Sequence, residues 1–457
     1  MPSPPNPAAR RFADYNAAAD YLFSAINYEK VSKYKYDAAT LNLKRVRDLL
    51  AAVGNPHETQ RFVHVAGTKG KGSTSILLAA ILTGHGLKTG LLTSPHLVHI
   101  EERITIDGEM MPKQRLVDVL SRLAPHIDAV RETRPREAPT YWEILTVMAF
   151  LHYLEERCDV SVIEVGLGGR LDSTNVISPA ACIITRIDYD HTDKLGPTLA
   201  RIAGEKAAII KPGTPTVVSR QDPEAQAVIE QQARDVGAPL RPSCRVLAVR
   251  DADRDGRPGI EIDLAGQARD YPRLFLPVVG VHQAQNAASA VAAAELIEAQ
   301  GRPMLSADSV RAALERVQLP GRIEVIAASP RVVLDCAHNA VSARALRRAL
   351  QRRFPCEHLV LLLGMSGDKD LDGFLSEMVP LADRVIYTQT DNPRAADAHD
   401  LAERSRRLFH VNAEAIPDIA TALTEARRGL QANDLLCITG SFYLAGKVKE
   451  ILSAGGG

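Results

Sequence analysis

The sequence predicts an α/β fold: a doubly wound, mostly parallel sheet, with a smaller, Rossmann-like α/β domain after it. Three observations carry this. Short β-rich runs alternate with longer helical ones, the pattern of βαβ units. Several of those runs, such as DVSVIEV over 159–165, are apolar on both faces, as strands buried in a parallel sheet are. Leu319-Pro320-Gly321-Arg322 then interrupts a helical stretch, and a second alternation begins beyond it. Two domains are therefore expected, 1–318 and 322–457.

In chain order, strands are expected over 61–66, 159–165, 181–187 and 214–219. Helices are expected over 73–83, 114–130, 141–157, 199–210 and 223–236. From 241 to 275 the chain is richer in Arg, Asp and Gly and alternates as β structure does, as in GIEIDLAG. This reads as an antiparallel excursion at the edge of the first domain. Helices return over 283–299 and 307–317. In the second domain the expected strands are 331–335, 358–363, 384–388 and 434–439, with a helix over 342–354. There is no internal repeat. Low complexity is confined to the Pro/Ala-rich start and the tail Gly455-Gly456-Gly457.

Composition excludes several classes of function. The 457 residues carry 55 Lys+Arg and 55 Asp+Glu, so no global basic field attracts nucleic acid. With 46% hydrophobic and 24% charged residues the chain can bury a core and is not disordered. No apolar run reaches the roughly 18 residues that span a bilayer. The start MPSPPNPAARRFADYN lacks the apolar segment of a secretory leader. Cys158, Cys182, Cys244, Cys336, Cys356 and Cys437 are scattered and read as reduced and mostly buried, which fits a cytoplasmic protein.

The strongest chemical signal is Gly67-Thr68-Lys69-Gly70-Lys71-Gly72-Ser73-Thr74, between an expected strand and an expected helix. Glycines let the backbone turn and offer its N–H groups to phosphate oxygens, and the helix N-terminus adds partial positive charge. A loop lysine reaches β/γ-phosphates and a following hydroxyl ligates magnesium. The strict G-x-x-x-x-G-K-[ST] pattern is not met, because Gly72 separates Lys71 from Ser73; the loop is a variant.

Weaker signals lie at other strand ends. Thr93-Ser94-Pro95-His96 places Ser94 where a metal or substrate can be held, although a plain turn explains it too. The charges of Glu101-Glu102-Arg103 fit a solvated rim equally well. Glu164 stands inside an apolar strand and needs a cation or hydrogen bonds, which magnesium or an ordinary ion pair would supply. His191 lies in Asp188-Tyr189-Asp190-His191-Thr192-Asp193, with metal-like but not zinc-like spacing. Lys206 on a helix is read by spacing alone as a snorkelling lysine. His282-Gln283 with Asn286, Pro320-Gly321-Arg322, Asp335-Cys336-Ala337-His338-Asn339 and Gly367-Asp368-Lys369-Asp370 are each weak alone.

As an ordered set, these motifs resemble the folylpolyglutamate synthase/dihydrofolate synthase family of the Mur ligase superfamily, from about Tyr21 to Leu452. The set is GTKGKGST, TSPHL, EERI, EVGLGGRLDSTN, DHTDKLG, EKAAIIKPG, HQAQN, PGR and LDCAHN. Two departures stand out: Lys69 where the family usually has Asn, and Ala340 where it usually has Pro. The resemblance implies a central domain of Mur ligase type carrying the variant phosphate loop. It also implies ATP-dependent amide formation, in which a carboxylate of dihydropteroate or of a folate glutamate is phosphorylated and then attacked by the amine of L-glutamate.

By the same resemblance Gly67, Thr68, Gly70, Lys71, Gly72, Ser73, Thr74, Asn286, Arg322 and Asp335 bind the nucleotide. Ser73, Ser94, Glu164 and His191 hold magnesium, with two ions expected. Lys206 is carbamylated and helps with the second ion. Lys71, Lys206 and His338 are the catalytic candidates. The expected partners are ATP, L-glutamate and dihydropteroate or folates, with no nucleic acid and no membrane, and the expected state is a monomer. Two other readings stay open: another Mur-type ligase acting on a cell-wall precursor, and an ATP-binding switch that ligates nothing.

Overall fold

The structure, a computed structural model, describes residues 12–31, 34–298, 300–301 and 305–454. The glycine tail, most of the Pro/Ala-rich start and Ala299, the last residue of one expected helix, lie outside them. The first sheet is built around Phe62–Ala66, whose five residues are all buried. It runs parallel to Val160–Glu164 on one side and Ala181–Ile184 on the other. From edge to edge the order is Glu109–Met110, Ile104–Ile106, Thr89–Leu92, Val160–Glu164, Phe62–Ala66, Ala181–Ile184, Thr216–Val218 and Leu240–Pro242.

Both faces of this sheet are apolar because both are covered. Val63 and Val65 pack under the helices Lys71–Gly84 and His282–Glu298. Phe62 and Ile163 turn the other way, under Lys113–Thr133 and Tyr141–Glu155. Phe62–Ala66 leads the chain toward the Thr89–Leu92 side of the sheet, whereas its neighbours Val160–Glu164 and Ala181–Ile184 lead it toward the opposite edge. Its carboxyl end is therefore a topological switch point, where such sheets gather ligands.

The segment 241–275 is the expected antiparallel excursion, built as a sheet of its own. Only Leu240–Pro242 extends the edge of the large sheet. Arg245–Arg254, Arg257–Ala265 and Asp270–Leu276 form a separate antiparallel sheet. Its alternation gives it one apolar face, and Ile260, Ile262 and Leu264 bury that face in the core shared with His282–Glu298.

The second sheet has six strands in the order Glu324–Ala328, Arg331–Leu334, Leu435–Thr439, Leu359–Leu363, Arg384–Tyr387 and Ala413–Ala415. All pairs are parallel except that of the edge strand Glu324–Ala328. The two edge strands were not expected; they are short and only partly buried. Leu97 of the first unit packs against the core of the second. Arg352 and Arg353 of the second pair with Asp251 and Asp253 of the antiparallel sheet. Cys182, Cys244, Cys336 and Cys437 are buried, Cys158 is half-buried and Cys356 exposed, and all are free.

Candidate active site

The loop after Phe62–Ala66 is fixed by its glycines. A Cβ on Gly67, at φ 150°, would lie 1.8 Å from Thr185 Oγ1, and one on Gly70, at φ 87°, would lie 2.2 Å from Asn286 Oδ1. The expected strand over 181–187 ends at Ile184 for a related reason. The Arg186 carbonyl turns to accept the N–H groups of Thr68 and Lys69, at 2.9 and 3.0 Å. Helix Lys71–Gly84 then opens with no side-chain cap. Its first amides have no partner within the helix and face the cleft.

That cleft is a cavity of about 760 Å³. Its wall includes Thr68, Gly70, Lys71, Gly72, Ser73, Ser94, Glu164, His191, Asn286, Arg322, Asp335 and His338. Three candidates stand off the wall. Gly67 shapes the turn, Thr74 is buried with its hydroxyl lacking a hydrogen-bond partner, and Lys206 lies deeper in the fold.

Glu164 is buried, and its Oε2 accepts the Ser94 N–H at 3.0 Å. Burial pushes its carboxyl above the usual carboxylate range, and the Lys71 charge draws it part of the way back. Such a carboxylate, beside the Ser73 hydroxyl and the Ser94 loop, fits a hard cation that also takes phosphate oxygens. Among the described residues no three His, Cys, Asp or Glu side chains form a ready-made metal site. Any coordination shell here would draw on phosphate oxygens, hydroxyls and water as well as on these side chains. His191 stands across the cleft at φ 50°, its side chain 36% exposed.

Lys206 does not snorkel; it is only 4% exposed. Burial, with Lys71 and Lys69 nearby, lowers its amine to about 7. No carboxylate lies within ion-pairing distance of it among the described residues. The rim reading of Glu101-Glu102-Arg103 also gives way, since Glu101 and Arg103 are buried. Arg103 donates to both oxygens of Glu29 at 2.7 Å and to His96 Nδ1 at 2.8 Å. Glu102 accepts the amides of Leu97, Val98 and His99 and so shapes the Ser94 loop.

The second unit brings Asp335 and His338 to the same cleft. Both Asp335 oxygens accept backbone amides, from Ile323 at 2.9 Å and Ala337 at 2.7 Å, so Asp335 also holds the linker in place. His338 Nδ1 meets the Cys336 carbonyl at 2.9 Å and must carry the proton there, which leaves Nε2 open. Burial and the Lys69 charge lower His338 to about 4, so the ring is neutral at pH 7. Arg322 stacks 4.7 Å from the Phe442 ring centroid.

The sequence did not single out Asp190, Lys369, Arg394 or Trp142, which line the same cavity. Asp190 and Lys369 stood in noted polar clusters but lacked a pattern that sets them apart. Trp142 was not set apart within the stretch Pro139–Glu143, since an aromatic at the start of an apolar helix reads as core.

The Mur ligase middle domain matches residues 65–294, and the Mur ligase glutamate ligase domain matches 321–442. The chain is 34% identical to the dihydrofolate synthase/folylpolyglutamate synthase of Mycobacterium tuberculosis, over 94% of each chain. The chain belongs to this family of Mur ligases. It is an ATP-dependent, amide-forming ligase. The Bacillus subtilis dihydrofolate synthase/folylpolyglutamate synthase is 32% identical over 90% of this chain and 94% of that one. The Mycobacterium tuberculosis folylpolyglutamate synthase complexed with ADP superposes with a TM-score of 0.87 at 32% identity, covering 96% of this chain and 99% of that one. No helix among the described residues is long and apolar enough to cross a membrane.

Proposed function

We propose that this ligase joins L-glutamate to dihydropteroate, to the glutamate chain of a folate, or to both, as a cytoplasmic monomer. The observation that carries the reading is Glu164, a buried carboxylate set between an uncapped phosphate loop and a cavity that both α/β units line. The substrate carboxylate attacks the γ-phosphorus of ATP, and ADP leaves. The glutamate amine then attacks the acyl carbon, releasing phosphate and one proton as the amide forms.

Gly70, Lys71, Gly72 and Ser73 receive the phosphates, with Thr68 beside them. Lys71 neutralises charge that develops on the transferred group. Gly67 and Thr74 act from behind the loop. Asn286, Arg322 and Asp335 surround the rest of the nucleotide. Ser73, Ser94, Glu164 and His191 would hold magnesium, which would supply positive charge at the phosphates. His338 presents Nε2 near the reacting groups. The open wall at Trp142 and Leu171 offers an aromatic and an apolar side for a flat heterocycle.

The Lys206 amine is nucleophilic near neutral pH and adds to CO₂, forming an N–C bond with loss of one proton. The resulting carbamate is an anion suited to a second magnesium ion. Native mass spectrometry at neutral pH under bicarbonate should find the added mass of one CO₂ and lose it in Lys206→Ala. No added mass in the parent, or the same added mass in the variant, would remove the modification. The deciding test of function is ADP release with magnesium and L-glutamate, comparing dihydropteroate with tetrahydrofolate and identifying products by mass. Absence of a glutamate adduct from either, with ATP still bound, would overturn the reading.

A further inference from the structure

Among the described residues that line the cleft, Asp190 is a carboxylate that meets groups of both α/β units. Its Oδ2 accepts from Lys69 Nζ of the phosphate loop at 2.9 Å and from Asn339 Nδ2 of the second unit at 3.4 Å. Its Oδ1 lies 3.6 Å from Lys369 Nζ, also of the second unit, and accepts the His191 N–H at 3.1 Å. The group is partly shielded from water, with side-chain exposures of 13% for Asp190, 25% for Lys69 and 16% for Lys369. Ion pairs so placed are screened less than surface pairs.

The backbone reinforces this arrangement. Thr68 and Lys69 are tied to the Arg186 carbonyl, and the Thr68 hydroxyl donates to the Asp188 carbonyl at 3.1 Å. The phosphate loop and the segment 186–190 thus form one jaw of the cleft, and Asn339 and Lys369 form the other. Lys69 points along the first jaw to Asp190 rather than over the phosphate-binding amides.

We propose that Lys69 is a positioning residue: it fixes the Asp190 carboxylate where Asn339 and Lys369 of the second unit reach it, and so helps to hold the cleft closed. An asparagine at this position could donate a hydrogen bond but would supply no charge. In this chain the two jaws are therefore drawn together before the last substrate arrives. The cost of closing is met in advance, and the pocket that receives L-glutamate is preformed.

The test uses the full-length protein and three variants, Lys69→Asn, Lys69→Arg and Asp190→Asn. The closure arm is small-angle X-ray scattering, which does not depend on the ligase reading; the kinetic arm rests on that reading. Lys69→Asn and Asp190→Asn should each enlarge the radius of gyration of the ligand-free protein. Combining Lys69→Asn with Asp190→Asn should open the protein no further than Asp190→Asn alone, because Lys69 acts through that carboxylate. Lys69→Arg should scatter as the parent does.

In the kinetic arm Lys69→Asn should raise KM for L-glutamate about tenfold, equivalent to about 1.4 kcal/mol. Its affinity for a non-hydrolysable ATP analogue should stay within about twofold of the parent, a shift of under about 0.5 kcal/mol. Unchanged scattering with weakened analogue binding would assign Lys69 to the phosphates and overturn the latch. Unchanged scattering with unchanged glutamate KM would overturn it as well.

Discussion

Two helices open at the cleft, one from each α/β unit, and they begin in opposite ways. Lys71–Gly84 follows Gly70 in the left-handed region, at φ 87°, and no side chain caps it. Ala340–Arg353 follows Asn339, whose Oδ1 accepts the Ser342 N–H at 3.0 Å while the Ser342 hydroxyl bonds back to the amides of His338 and Asn339. The first terminus leaves its amides for an anion; the second satisfies its own and presents side chains instead. The same strand–loop–helix unit therefore serves as a receptor in one domain and as a bracket in the other. The residue before the helix decides which.

The largest expected effect comes from emptying the receptor. Lys71→Met should lower kcat/KM for the ligase reaction at least thousandfold, about 4 kcal/mol of transition-state stabilisation, measured by steady-state ADP release. A loss of only tenfold would mean that the amides alone carry the phosphates. Next is a transplant of the bracket into the receptor. Gly70→Asn offers helix Lys71–Gly84 a side-chain cap and drives a Cβ toward Asn286. It should weaken binding of an ATP analogue about a hundredfold, or about 2.7 kcal/mol by calorimetry.

A smaller effect concerns Lys206 beneath the receptor. Its amine is lowered from 10.5 to about 7 by burial, with help from Lys71. Below pH 7 the folded and unfolded chains both hold the proton, and the fold bears the whole cost of the buried charge. Between the two values only the unfolded chain holds it, so stability rises with pH, by at most about 1.4 kcal/mol per unit. Denaturant titrations at pH 7, 8 and 9 on the CO₂-free protein should show this rise, and Lys206→Met should abolish it. The smallest effect sharpens the bracket. Asn339→Ala removes a helix cap and should cost about 1 kcal/mol of unfolding free energy.

What the sequence made legible follows the same division. The turn at Gly67 and Gly70 could be read because backbone demands leave glycines at fixed spacing. Glu164 could be read because a charge inside an apolar strand needs a reason. Arg103 was not legible: its burial depends on Glu29 and His96, which meet it only in the fold, so its charge looked like a rim. Lys206 was misread by spacing, since nothing local says that Gly169 and the loop around it close over that helix. Asp190 and Lys369 lie far apart in sequence, and only the meeting of the two units gives them a common purpose. The antiparallel sheet was visible as strands, but whether strands extend a sheet or start another depends on which core receives them.

Trp142 is the only tryptophan in the chain, and it stands in the cavity wall with its indole N–H 3.3 Å from Asp172 Oδ2. The protein thus carries one intrinsic fluorophore, and nature has placed it in the binding cleft. Excited near 295 nm, emission reports on that wall with no background from any other indole. A pteroate or folate drawn against the ring should quench it, whereas a nucleotide settling on the loop should reach it only through motion of the loop around Asp172. Occupancy of the two parts of the cleft can then be followed separately, in unlabelled protein and in real time.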